Sequence, residues 1–341
     1  MDTSSEITPR SNPSAQPIVI ALGDPAGIGP EVVLKALARP EARGRLVRIV
    51  GCRRWLEHTY SHLRGRSTSP LADPATLDML DSPLAEAVAT GVGTAASGAA
   101  SFTWLTQAVE LLRGGAAQSL VTAPIAKAAW HAAGHSHPGQ TERLAELCGV
   151  KHASMLFTAK PARGPWRFNT LLATTHIPLA RVAAQLNPEL VSLQLDRLLL
   201  FCQRFQPRPR LAVAGLNPHA GEGGALGQEE QLWLEDCLNS WRQAHADIRL
   251  EGPLPPDTCW LEAARAWHGE GTAADGHLAL YHDQGLIPVK VLAFDRAVNT
   301  TLGLPFLRTS PDHGTAFNIA GLGVAREASM AAALETAWEL G

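Results

Sequence analysis

Residues Pro17 to Ala38 read PIVIALGDPAGIGPEVVLKALA. The first six are an apolar run rich in β-branched residues, stopped by Gly23. The last eight have helical spacing and follow Pro30, a good first helical residue. A strand, a glycine-rich turn and a helix in direct succession begin a βα unit. The alternation continues along the chain. Strands are expected at Leu46 to Val50, Gln118 to Thr122, Ser154 to Thr158, Arg167 to Thr174, Arg210 to Leu216, Leu278 to His282 and Val289 to Phe294. Helices are expected at Thr94 to Leu112, Pro124 to Ala133, Thr141 to Cys148, Pro188 to Phe205 and Gly227 to His245, and again from Gly314 with an interruption near Gly321 to Gly323. Arg64 to Ser82 reads as an irregular excursion. Strands alternating with helices predict an α/β fold with a largely parallel sheet covered on both faces.

A chain of 341 residues with 45% apolar content can build two domains or one large α/β unit. The net charge of −3 comes without a basic block, which argues against a nucleic-acid partner. No apolar stretch approaches a membrane span. Met1 to Gln16 is polar, rich in Ser and Pro, and lacks the apolar core of a signal peptide. It is expected to be a disordered tail on a cytoplasmic protein. The five cysteines, Cys52, Cys148, Cys202, Cys237 and Cys259, include no Cys-x-x-Cys pair, so free thiols are expected.

Three histidines each end an apolar run: His176 after Leu171 to Thr175, His219 in Gly215 to Glu222, and His282 after Leu278 to Tyr281. In open α/β sheets, ligands bind at the carboxyl ends of strands. A lone histidine there is more often a hydrogen-bonded structural residue. Three converging imidazoles would hold a divalent metal with positions open for substrate. Asp283 is a candidate partner of His282, and His313 is a further candidate ligand. Downstream, Lys290, Asn299 and Arg308 are candidates for binding a phosphate or carboxylate. The Gly23 to Glu31 turn is neither a dinucleotide fingerprint nor a P-loop. It reads equally well as an anion-binding helix start or as a tight structural turn.

Taken together, these motifs resemble those of the 4-hydroxythreonine-4-phosphate dehydrogenase family of vitamin B6 biosynthesis. The resemblance runs from about Pro17 to the last helix. It is carried by Gly23 to Glu31, Thr122-Ala123-Pro124-Ile125 with Lys127, Ala173 to His176, Leu216 to Gly224, Gly252 to Thr258, Tyr281 to Gly285 and Asn299 to Gly314. It implies two α/β/α domains with an interdomain cleft, like the isocitrate and isopropylmalate dehydrogenases. The first domain would comprise residues 17–138 plus about 305–341, and the second residues 139–304, which would carry the metal and dimer contacts. It implies a homodimer whose metal site is shared between subunits. His176, His219 and His282 match the metal ligands, with zinc, magnesium or cobalt as the ion. Thr141, Lys290, Asn299 and Arg308 match the substrate contacts. NAD or NADP would be the hydride acceptor, bound without a Rossmann fingerprint.

Gln140 departs from the pattern, because the family usually carries Gly-His-Thr-Glu where this chain has Gly139-Gln140-Thr141-Glu142. Glutamine can donate and accept hydrogen bonds but has no titratable proton. His135 and His137, just upstream, are possible replacements. The implied reaction oxidises 4-phosphooxy-L-threonine, with Asp257 and Lys127 as candidate general bases. Two alternatives stand beside it. One is a dehydrogenase of threonate or erythronate 4-phosphate. The other is a catalytically silent protein that keeps the metal and phosphate pocket, although retention of the whole residue set argues against it.

Overall fold

The computed structural model describes residues 16–341. The expected tail of residues 1–16 falls outside it, apart from Gln16, whose amide donates to the Gly115 carbonyl at 2.7 Å. Eleven strands form one sheet: β1 (Ile18–Ala21), β2 (Val47–Gly51), β3 (Asp78–Asp81), β4 (Ser119–Thr122), β5 (Ser154–Ala159), β6 (Phe168–Leu172), β7 (Arg210–Ala214), β8 (Arg249–Leu254), β9 (Gly276–Ala279), β10 (Val298–Leu302) and β11 (Leu307–Pro311). Their order is β3-β2-β1-β4-β11-β10-β5-β6-β9-β7-β8, with helices on both faces.

The sheet is mixed rather than largely parallel. β3, β2, β1, β4 and β11 run parallel, as do β6, β9, β7 and β8. Between the two blocks, β10 is antiparallel to both β11 and β5, and β5 is antiparallel to β6. The two blocks therefore point in opposite directions. Sequence periodicity reports whether a strand is buried, not its direction, so this reversal left no trace in the pattern.

Several expected elements appear with small shifts. The helix Ala95–Arg113 starts with a capping box, in which Thr94 Oγ1 accepts from Ser97 N and Ser97 Oγ accepts from Thr94 N. The helix Gln140–Cys148 ends on Gly149 in the left-handed region. The excursion at Arg64 to Ser82 hides the edge strand β3. One expectation is overturned: Val289 to Phe294 is not a strand, because Val289–Ala293 completes the helix His282–Ala293. The run Val289-Lys290-Val291-Leu292-Ala293 is rich in β-branched residues, yet the helix packs directly on the sheet. A Cβ added at Gly285 would lie 2.5 Å from Leu172 Cδ2, so glycine permits this approach.

Packing separates into clusters. One joins β1, β2 and β4 to Trp104, Leu105 and Val109 on one helix, and to Met330, Leu334 and Ala337 of the last helix, Ala328–Leu340. A second joins Leu171, Val213 and Leu278 to Leu195, Leu198 and Leu238. A third places Phe157 and Phe168 against Leu286 and Val289. All five cysteines are free thiols. No helix among the described residues is long and apolar enough to cross a membrane.

A buried ion pair ties the returning chain to the first βα unit. Lys35 Nζ lies 2.8 Å from Glu31 Oε1 and donates to the carbonyls of Gly323 and Ala325 at 2.9 and 2.7 Å. Glu31 Oε1 also accepts from Ala325 N at 2.9 Å. Removing one partner strands the other charge in the interior. Lys35→Met is predicted to cost about 3 kcal/mol or more in denaturant unfolding. It should also speed hydrogen exchange at residues 321–327. Adding Glu31→Gln should recover most of the loss.

Candidate active site

Strand alternation and register put Thr122 of β4, Arg308 and Ser310 of β11, Asn299 and Thr301 of β10, and Met155 of β5 on one face of the sheet. Most of these side chains floor a cleft of about 590 Å3. Because the two parallel blocks oppose each other, the loops that wall the cleft follow the oppositely directed strands β4 and β6. Pro124 to Lys127 and the start of the helix Gln140–Cys148 form one wall, and Thr175 to Ile177 the other.

Arg308 is the chemical centre of this floor. It is 3% exposed. Its Nε and Nη2 donate to Thr122 Oγ1 at 3.1 and 2.7 Å, its Nη1 to Thr301 Oγ1 at 3.1 Å, and its Nη2 to Gln140 Oε1 at 3.4 Å. All four contacts are to neutral oxygens, and Glu142 acts on the charge through space. Burial pulls the guanidinium down to about 10, which still leaves it charged at neutral pH. A buried charge without an ion-pair partner is costly, and an anion entering the cleft would relieve it.

Of the other sequence candidates, Lys127, Gln140, Thr141, His176 and Asn299 line the same cleft. His313 lines it too. Its Nδ1 donates to Gly314 O at 3.1 Å in the tautomer that this contact favours, and its buried Nε2 has no hydrogen-bond partner. Lys290 is not among the lining residues. It sits on the helix His282–Ala293, forms an ion pair with Asp312 and lies over the Phe294 ring. His135 and His137 do not replace a histidine at position 140. The first stacks on Phe102 with ring centroids 3.5 Å apart, and the second pairs with Glu146 at 2.6 Å. The sequence reading missed Thr122 and Thr301 as residues that hold Arg308. Thr122 lay inside a quoted motif, but its contact with a residue 186 positions away left no local signal.

The three histidines follow β6, β7 and β9, which are neighbours in the sheet. His176 and His282 have ring centroids 5.5 Å apart. Burial and the neighbouring His282 and Lys127 lower the pKa of His176. The His282 Nδ1 is 2.7 Å from Asp283 Oδ1, a contact that orients the ring. His219 stands apart, beside a cavity of about 460 Å3 that also includes Asp257, Tyr281 and Asp283. Its Nδ1 is 3.8 Å from Asp257 Oδ2. The two candidate bases therefore fall in different cavities.

His219 is carried by a left-handed turn. His219, Ala220 and Glu222 have φ of 52°, 53° and 43°, with Gly221, Gly223 and Gly224 also positive. Such a run costs roughly 1–2 kcal/mol per non-glycine residue and persists only when it is over-determined. Glu230 supplies the brace. It is 1% exposed and accepts from Leu216 N, Asn217 N and Asn217 Nδ2, each at 2.8 Å.

His176 and His282 suit two positions of a metal shell. Among the described residues, however, no group of three or more His, Cys, Asp or Glu side chains converges within one chain. The Gly23 to Glu31 turn resolves as structural, because it is buried and carries its own acceptor, the Asp24 carboxyl, whose pKa burial raises. Asp24 is 0% exposed, accepts from Ala26 N at 3.0 Å and receives the Ser97 hydroxyl at 3.2 Å.

The family model described as pyridoxal phosphate biosynthetic protein PdxA matches residues 44–337. A 4-hydroxythreonine-4-phosphate dehydrogenase from Synechococcus sp. (strain RCC307) is 63% identical over 327 residues, which covers 95% of this chain and 99% of the relative. A D-threonate 4-phosphate dehydrogenase from Salmonella typhimurium is 38% identical over 336 residues, covering 95% of this chain and 98% of the relative. The crystal structure of a 4-hydroxythreonine-4-phosphate dehydrogenase from Klebsiella pneumoniae matches with a TM-score of 0.81 at 36% identity, covering 96% of this chain and 99% of that one. The chain belongs to the 4-hydroxythreonine-4-phosphate dehydrogenase family of oxidoreductases.

Proposed function

We propose that this protein oxidises the C3 hydroxyl of 4-phosphooxy-L-threonine with NAD or NADP. The product is 2-amino-3-oxo-4-phosphooxybutanoate, a β-keto acid that loses carbon dioxide to give 3-amino-2-oxopropyl phosphate. The observation that carries this reading is Arg308, a buried cation on the cleft floor whose hydrogen-bond partners are all neutral. It suits the phosphate of such a substrate, with Thr141 and Asn299 as further polar contacts in the cleft. Holding the phosphate fixes where C3 lies against the nicotinamide. Lys127 lines the same cleft and, with its amine in the neutral form, is the candidate acceptor of the hydroxyl proton. A bound nicotinamide would supply the hydride acceptor for C3, and the hydroxyl proton would leave to the base.

The reading includes a homodimer. His176 and His282 of one subunit, with His219 of the partner subunit, would complete the shell of a zinc, magnesium or cobalt ion, with Asp257 beside that third ligand. Such an ion supplies polarisation of the substrate hydroxyl. Ile287, Val291 and Phe294 support a covered face here. They are 61%, 78% and 62% exposed along one stripe of the helix His282–Ala293, and Ile287 also lines the cavity of His219. The reading keeps a first domain of residues 17–138 plus about 305–341 and a second of residues 139–304, with Leu144 and Val298 packing into the first cluster and Leu307 and Leu340 into the second.

Two experiments test the proposal. Formation of NADH or NADPH should be faster with 4-phosphooxy-L-threonine than with the unphosphorylated amino acid, by about 100-fold in kcat/KM, the loss expected when a charged hydrogen-bonding partner is removed. Faster turnover of D-threonate 4-phosphate would move the assignment to that substrate. For the shared site, His176→Ala and His219→Ala should each abolish activity. Their mixed dimers keep one intact site of two, so random reassembly should restore about a quarter of wild-type turnover. Absence of any recovery would place all three ligands in one subunit.

A further inference from the structure

A guanidinium has five N–H donors in a rigid fork, so the acceptors that take four of them decide where the one left on Nη1 points. Around Arg308 those acceptors come from Thr122, Thr301 and Gln140. Gln140 differs from the two threonines because its amide is itself fixed. Its Nε2 donates to the Ala123 carbonyl at 3.1 Å. That contact leaves Oε1 facing Arg308 Nη2. Turning the amide over would set donor against donor and also lose the Ala123 contact. Gln140 opens the helix Gln140–Cys148 and follows Gly139 in extended backbone, so its reach across to β11 is set by the fold.

Charge matters as much as direction. A carboxylate at this position would pair with Arg308 and consume the charge that an anionic ligand needs. A histidine there would add a titrating ring beside a buried cation. The neutral amide does neither. Both of its ends are engaged within the chain, which is the geometry of a side chain that acts on a ligand through its neighbour.

We propose that Gln140 is a positioning residue that aims Arg308 into the cleft and leaves its positive charge uncompensated for an anionic ligand. This rests on the reading of the cleft as the site of a phosphorylated substrate. The other charged or titratable groups lining the cleft are Lys127, Glu142, His176 and His313. The variants therefore need comparison with wild type at each pH, so that their shared contributions cancel.

The test is calorimetric titration of inorganic phosphate into the full-length protein, with the melting temperature measured in parallel. Wild type should bind phosphate. Gln140→Glu, close in shape, should bind at least tenfold more weakly while melting no lower than wild type, because the new carboxylate satisfies Arg308. Gln140→Leu should also weaken binding by about tenfold, from loss of one charged hydrogen bond. Gln140→His should add a titration step, absent from wild type, to the pH profile of phosphate affinity. Should Gln140→Glu bind phosphate as tightly as wild type, the positioning role is wrong even though the anion site stands. If wild type itself binds no phosphate, the anion site falls and the positioning role falls with it.

Discussion

The constraint on which the site depends is a positive charge held inside the protein without a carboxylate hydrogen-bonded to it, Glu142 acting on it only through space. Arg308 stands where β11 meets β10, beside β4, so its contacts span the reversal between the two parallel blocks. Two threonine hydroxyls and one amide take four of its five N–H donors but cannot neutralise it. Burying such a group is unfavourable unless something returns the energy, and in an enzyme a bound anion can do so. The cleft is the space above this charge, walled by the loops that follow the oppositely directed strands β4 and β6.

A second constraint governs the histidines. They follow three adjacent strands, yet only His176 and His282 meet. His219 is held away by a left-handed turn that the buried Glu230 carboxylate keeps in place. A strained turn that keeps His219 from the other two histidines makes little sense in an isolated chain. It is understandable if the turn projects His219 toward another subunit. The exposed apolar stripe at Ile287, Val291 and Phe294 fits the same geometry.

Much of this was legible in the sequence, for local physical reasons. The βα rhythm, the helix start at Thr94, the helix end at Cys148 and the three strand-end histidines all follow from patterns a few residues long. The resemblance located Arg308, Asn299, Thr141 and Lys127, and the structure brings these four into one cleft. What stayed hidden depends on distant pairing. Strand direction carries no periodic signature, so the mixed sheet was read as parallel. The segment around Lys290 has strand-like residues but is helical, because Gly285 lets the helix lie against β6. The glycine-rich turn at Gly23 offered backbone donors, but the sequence could not show that the Asp24 side chain takes Ala26 N and that Gly27 N and Ile28 N go to backbone carbonyls.

The central claim is that Arg308 carries an uncompensated charge whose purpose is to bind an anion. Its most direct test is the melting temperature of wild type and Arg308→Met, each with and without inorganic phosphate. The account predicts that the methionine variant melts at or above wild type in phosphate-free buffer, because a costly buried charge is gone, and that phosphate stabilises wild type alone. Equal stabilisation of both proteins by phosphate, with the variant melting well below wild type in its absence, would contradict it.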